Sequence, residues 1–373
     1  MMVVGADSLP PSAPWTHKPI RARERGVQSR PDELTGCRRT ETVSPLHERG
    51  PPHTRYRGTV TASTSPDPTP APAEPTGTQF SLRRGDVTAH VAQLGASLRG
   101  LTVGGVDVVP PYPLGAPTPF GSGTVLVPWP NRIRDGIWTH DGAELRLAIT
   151  EPKLNNAIHG LLRYTPYAVA IRTDSEVELT ATVYPQLGYP FQLDTSVRYA
   201  LTDAGVHVTH TLTNTGRDAA PAAVGTHPFV TIGDVDPGEL VLTLPAATRF
   251  PVDDRLLPSP EEPVDGTALD FRTGRRLSDV ELDDAFGGVR REPDGIARHT
   301  LTAPDGRRAV LWAGEGFDYV QAFTTTSYPG QVKAVAIEPM TAPADAFNSG
   351  TGLRRLAPGE TWTLDWGIEL EHR

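Results

Sequence analysis

Four short segments of this chain gather side chains that can move protons or steady charge. They are Pro128-Trp129-Pro130-Asn131-Arg132-Ile133, Ile158-His159-Gly160, Gly225-Thr226-His227-Pro228-Phe229 and Ile337-Glu338-Pro339-Met340-Thr341. Each is polar at a point close to the end of an apolar run, where a rigid element can hold a loop side chain in place. A glutamate is ionised at neutral pH and accepts a proton. A histidine, with an ordinary pKa of about 6.5, donates one when a neighbouring carboxylate keeps it protonated. Arginine or a second histidine can stabilise the charge that develops between them. Taken singly, Arg132 reads as a surface ion pair, His159 as a turn residue, His227 as a satisfied half-buried histidine and Glu338 as a charged strand end. Chemistry requires that they converge.

The elements that must bring them together are strands. From Gln79 onward the chain consists of short β-branched runs punctuated by Gly, Pro, Asp and Asn, the pattern of an antiparallel all-β domain. Residues 86–91, 176–183 and 206–212 alternate polar and apolar side chains, so each predicts a strand with one wet face. Further strands are expected over 168–172, 191–201, 239–244, 308–312, 319–323, 333–338 and 361–370. So many in one stretch predict two large sheets packed face to face in a single domain spanning 78–373. Residues 1–77 hold 13 of the 38 prolines together with many arginines, without a period of 2 or 3.6, and are expected to be a disordered, solvated tail.

Composition narrows the chemistry. Hydrophobic residues make up 38% and charged residues 21%, and no apolar run approaches the roughly 20 residues of a membrane span. Pro10, Pro11 and Pro14 interrupt the only region that could serve as a secretory signal, so a cytoplasmic protein is expected. One cysteine, Cys37, cannot form an internal disulfide. A formal net charge of -9 disfavours nucleic acid and anionic membranes as partners and favours a neutral small molecule. No phosphate-binding loop or nucleophile elbow occurs, and Gly121-Ser122-Gly123 precedes a strand, as a turn does. His207 and His210, three residues apart on a strand, point to opposite faces and cannot share a metal ion. No metal and no cofactor are expected.

The four segments together resemble the aldose 1-epimerase (galactose mutarotase) family. Its marks are an N-R-I turn, an H-G pair, a later histidine, an aspartate before Phe and a glutamate followed by Pro. All five occur here in the family's order, the fourth as Leu282-Asp283-Asp284-Ala285-Phe286. Tyr319-Val320-Gln321-Ala322-Phe323 adds a match to the family's sugar-binding glutamine. Two departures are Leu161, where a second glycine is usual after H-G, and the His-Pro-Phe form of the later histidine segment. The resemblance implies a large antiparallel β-sandwich of the galactose mutarotase type and a monosaccharide substrate, with the chain a monomer or homodimer.

It also implies roles. Glu338 is expected to take the proton from the C1 hydroxyl of an aldose while His227 delivers one to the ring oxygen, opening the ring. His159 and Arg132 are candidates to stabilise developing charge. Asp283 is expected to accept hydrogen bonds from sugar hydroxyls, with Asp284 its adjacent alternative, and Gln321 and Asn131 to orient the substrate. Trp129, and less directly Phe229, would offer an apolar face to the sugar's C–H side, with core packing the equal alternative for either. Two rivals remain: a hexose-6-phosphate 1-epimerase using Arg163 for the phosphate, and a non-catalytic carbohydrate-binding sandwich.

Overall fold

The computed structural model describes residues 74–372, and the expected tail lies outside them except for its last residues. Those are packed onto the domain: Thr76 is buried, and its carbonyl accepts from the Leu94 amide. Residues 74–77 are thus described together with the domain expected to begin at residue 78.

Two antiparallel sheets dominate. One has nine strands, in the spatial order 168–172, 176–183, 193–201, 205–214, 361–371, 308–313, 297–302, 241–243 and 275–276. The other runs 262–263, 246–250, 283–289, 319–325, 334–340, 225–226 and 125–126, with 229–230 also paired to 334–340. Alternation decides which face each sheet buries. In the nine-stranded sheet Val206, Val208, Leu364, Trp366 and Ile368 enter the core, and they share one apolar cluster with Phe286, Val320, Ala322, Val335 and Ile337 of the eight-stranded sheet. This shared core makes the fold an antiparallel β-sandwich. Between the core residues of the eight-stranded sheet sit Gln321 and Glu338, which therefore face away from it.

Most strands fall where alternation places them. Some expected boundaries shift: the run from 191 starts pairing at Leu193, and the run from 239 at Val241, because Pro237–Glu239 forms a 3-10 turn capped by the Asp236 carboxylate. The run ending at 338 continues through Pro339 to Met340. Asn348 and Ser349 lie on a single helical turn, Ala346–Ser349. His210 is buried and accepts from the Trp366 indole N–H at 2.9 Å. His207, on the opposite face, contacts Asp365.

Candidate active site

The outer face of the eight-stranded sheet supplies half of the site through register alone. Gln321 on strand Tyr319–Thr325 pairs directly with Glu338 on strand Ala334–Met340, and Asp283 on strand Asp283–Val289 pairs with Phe323. Residues two apart share a face, so Asp283, Gln321, Phe323 and Glu338 project to one side. Asp284 projects to the other and is absent from the cavity wall. Glu338 sits in a strand whose seven residues are all buried.

Two tight loops complete it. The strands Arg132–Arg134 and Asn156–Ile158 pair antiparallel, and Asn131 and His159, just beyond that pairing, both adopt left-handed backbone with φ of 54° and 63°. They lock each other: the His159 amide donates to the Asn131 carbonyl at 2.9 Å, and the Asn131 amide donates to His159 Nδ1 at 3.2 Å. His159 is therefore the Nε2–H tautomer, a neutral donor. Gly160 follows at φ 69°, and a Cβ there would come within 2.1 Å of the Val127 carbonyl, so the H-G pair is a steric necessity. His227 follows strand Gly225–Thr226, which pairs with both 334–340 and 125–126.

These residues surround a cavity of about 370 Å³ lined by Asn131, Arg132, His159, His227, Asp283, Gln321 and Glu338, with Phe120, Phe323 and Tyr164 as its apolar walls. His227 Nε2 lies 3.3 Å from Glu338 Oε1, both side chains under a tenth exposed. A polar relay runs beside them. Arg132 Nη1 donates to Asn131 Oδ1 at 3.3 Å, Asn131 Nδ2 donates to Gln321 Oε1 at 3.1 Å, and Gln321 Nε2 donates to Asp283 Oδ1 at 2.7 Å. Each amide is thus fixed in orientation, and Asp283 Oδ2 stays open to the cavity.

Burial reverses the ionisation that the residue types suggested. Desolvation raises the Glu338 carboxyl well above its usual range, the Asp283 charge raises it further, and only Arg132 opposes. Desolvation also lowers His227 to about 4. His159 falls well below its usual value, by burial first and then by the charges of His227, Arg163 and Arg132. Removing two adjacent groups from water favours the form in which neither is charged. Burial thus pushes both members of the pair toward their uncharged forms, protonated Glu338 and neutral His227.

One expected wall residue is not there. Trp129 is buried in the core, its ring 5.5 Å from Phe347 and 6.4 Å from Tyr189, because its large apolar surface is better removed from water than left at a polar cavity. It anchors the loop that carries Asn131 from beneath. Phe229 is also fully buried and stacks behind the His227 ring at 5.6 Å. Sequence reasoning missed Glu151, which lines the cavity and pairs with Arg132, and also missed Phe120 and Tyr164. None of the three carries a local signal. Phe323 did, lying two residues from Gln321 on a strand. Among the described residues no group of three or more His, Cys, Asp or Glu is placed to hold a metal ion, and no helix is long and apolar enough to cross a membrane.

Fold and cavity define an all-β protein with a buried His–Glu pair in a polar pocket. A family model described as aldose 1-epimerase matches residues 78–369, and the chain belongs to that family, whose members are isomerases. The chain is 33% identical over 293 residues to the uncharacterized protein YihR of Escherichia coli K12, covering 78% of this chain and 93% of that one. Solved structures share the fold. A galactose mutarotase-like protein from Clostridium acetobutylicum superposes with a TM-score of 0.69 at 19% identity, covering 79% of this chain and 95% of that one. Galactose 1-epimerase from Lactobacillus acidophilus superposes with a TM-score of 0.66 at 19% identity, covering 79% and 94%.

Proposed function

We propose that this chain interconverts the α and β anomers of a free aldohexose, galactose or glucose, by opening and reclosing the pyranose ring. The observation that carries the reading is the His227–Glu338 contact of 3.3 Å at the wall of a cavity that Asn131, Arg132, His159, Asp283 and Gln321 also line. Ring opening needs one proton removed from the C1 hydroxyl and one delivered to the ring oxygen. Transfer of the shared proton from Glu338 to His227 creates the carboxylate base and the imidazolium acid together. Glu338 then takes the C1 hydroxyl proton, the C1–ring oxygen bond breaks, and His227 protonates the ring oxygen. The enzyme is now back in its resting protonation with an open-chain aldehyde bound. Rotation about C1–C2 presents the other carbonyl face. In reclosure His227 takes the C5 hydroxyl proton, that oxygen attacks C1, and Glu338 protonates the carbonyl oxygen. No electron or group leaves.

The His159 Nε2–H and the Arg132 guanidinium stabilise developing negative charge, while Asp283 and Gln321 hold hydroxyls. Polarimetry on freshly dissolved α-galactose and α-glucose tests the reading. Catalysed decay of rotation toward equilibrium supports it, and a rate equal to that of buffer alone rejects it.

A second reading is favoured by Arg163, which lines the same cavity with one Nη donating to the Thr150 carbonyl. Its remaining donors suit a phosphate on the sugar. A glucose 6-phosphate rate well above that for glucose would select a hexose-6-phosphate epimerase. The non-catalytic sandwich has no use for a buried shared proton, which leaves it the weakest of the three.

A further inference from the structure

Arg132 is the charged donor closest to the proton pair's sugar-binding relay, and its position is contested by two carboxylates. On one side Glu151 grips it in a fork, with Nε on Oε2 at 3.0 Å and Nη2 on Oε1 at 3.1 Å. On the other, Asp283 Oδ2 lies 3.9 Å from Nη2, too far for a hydrogen bond. We propose that Glu151 is the positioning residue of the site: it holds the Arg132 guanidinium off Asp283, so that carboxylate and guanidinium both remain free to meet sugar hydroxyls. The inference rests on the epimerase reading for its kinetic consequences but not for its geometry.

Glu151 is built for this. Its Oε2 also accepts from Asn156 Nδ2 at 3.1 Å, and Asn156 is fully buried. Asn156 is held in turn, its Oδ1 accepting from Arg255 Nη2 at 3.2 Å. Arg255 further donates to the Leu154 carbonyl and to Asp135, clamping the tight turn in which Glu151 and Asn156 bridge each other. A planar guanidinium satisfied along one edge by a fixed carboxylate cannot rotate toward a second one without losing both bonds. Without Glu151 the nearest anion is Asp283, and pairing with it draws Nη1 away from Asn131. The relay through Gln321 then loses its fixed end, and the hydroxyl acceptor is consumed. Paired with Asp283, the guanidinium would also offset the Asp283 charge that helps raise the Glu338 carboxyl.

The test is the isosteric variant Glu151→Gln, with Glu151→Asp as a charge-retaining control and Asp283→Asn for a double-mutant cycle. In the crystal structure of Glu151→Gln, Arg132 is expected to sit within hydrogen-bonding distance of Asp283. Kinetically KM should rise about tenfold, kcat should fall as Arg132 leaves the developing charge, and the alkaline limb of the rate profile should move to lower pH. Glu151→Asp should recover part of the KM loss. In the Asp283→Asn background, Glu151→Gln should add little further to KM, because the competing anion is gone. If Glu151→Gln does not fold, the Asp variant carries the test: an unchanged KM and an unmoved guanidinium in it overturn the proposal. In the Gln variant, Arg132 staying in place, or additive effects in the cycle, overturns it as well. Absence of epimerase activity in the unmodified protein would reject the proposed function, while the position of Arg132 in the variant would still decide this inference.

Discussion

His227 and His210 make an instructive pair. Both are buried, both are lowered to about 4 by desolvation, and both have a partner at Nε2. His210 accepts from the Trp366 indole, which stacks over it inside the sandwich. His227 faces a carboxylate across a cavity wall. A perturbed pKa is therefore common to a packing histidine and a candidate catalytic one, and carries no functional information by itself. The difference lies in the partner. An indole N–H can only donate, so the His210 contact is a fixed hydrogen bond, whereas a carboxyl can exchange its proton with the ring and with a ligand beside it.

The largest test of that contrast is removal of either half of the proton pair. Glu338→Gln and His227→Asn should each cost roughly 10² to 10⁴ in rate with the melting temperature held or raised, since an ionisable group leaves a dry site. Full activity by polarimetry in either variant would dissolve the contrast. His210→Leu should do the reverse. It strands the Trp366 N–H and costs about 1–3 kcal/mol in denaturant unfolding, with kcat/KM within about twofold. A hundredfold rate loss in a folded His210 variant would mean that the core histidine takes part after all.

Acid separates the two sites in another way. The folded-state pKa values of His210 and His299 are depressed, to about 4 and about 3, below the unfolded value of about 6.5. Their stabilising contribution is complete above that value and is lost as pH falls through the interval down to the folded values, on the order of 3 kcal/mol each once fully protonated. Thermal melts between pH 7 and 3 should show this slope, and His299→Leu should flatten it. The rate, by contrast, should follow a bell. Activity falls below about pH 4 as His227 gains a proton and the base is blocked, and falls again as Glu338 loses its proton above its raised pKa. An acid limb centred near the ordinary histidine value would show that burial does not control His227.

Smaller effects refine the contrast at the aspartates. Asp283→Asn should raise KM roughly tenfold by replacing a charged acceptor with a neutral one. Asp284→Asn should change it less than about threefold, because alternation turns that side chain to the other face. Equal effects would require a register other than the pairing of Asp283 with Phe323.

Much of this was legible without coordinates. Period-two alternation at 176–183 and 206–212 marks strands whose buried faces then follow, and those strands pair with one another's neighbours in the nine-stranded sheet. Asp283, Gln321 and Glu338 were readable as family marks, and His159-Gly160 as a pair whose glycine proves to be a steric requirement. Trp129 stayed open between the two, because a tryptophan beside polar loop residues suits a sugar face and a core equally well; only its packing on Phe347 and Tyr189 separates them. Glu151 went unseen because its significance comes from a guanidinium 19 residues away in the chain.

Residue types and their spacing alone determined the all-β class and most of the strands, and the family resemblance marked the candidate acid, base and acceptors, since alternation and functional-group chemistry are local properties. Tertiary structure decided where the proton rests, which aspartate faces the cavity, which aromatics wall it and what holds Arg132. Those depend on burial and on distances between residues far apart in the chain, and desolvation has no local signature: the same glutamate that is a ready base in water is pushed toward its protonated form when seven consecutive buried residues carry it at a cavity wall.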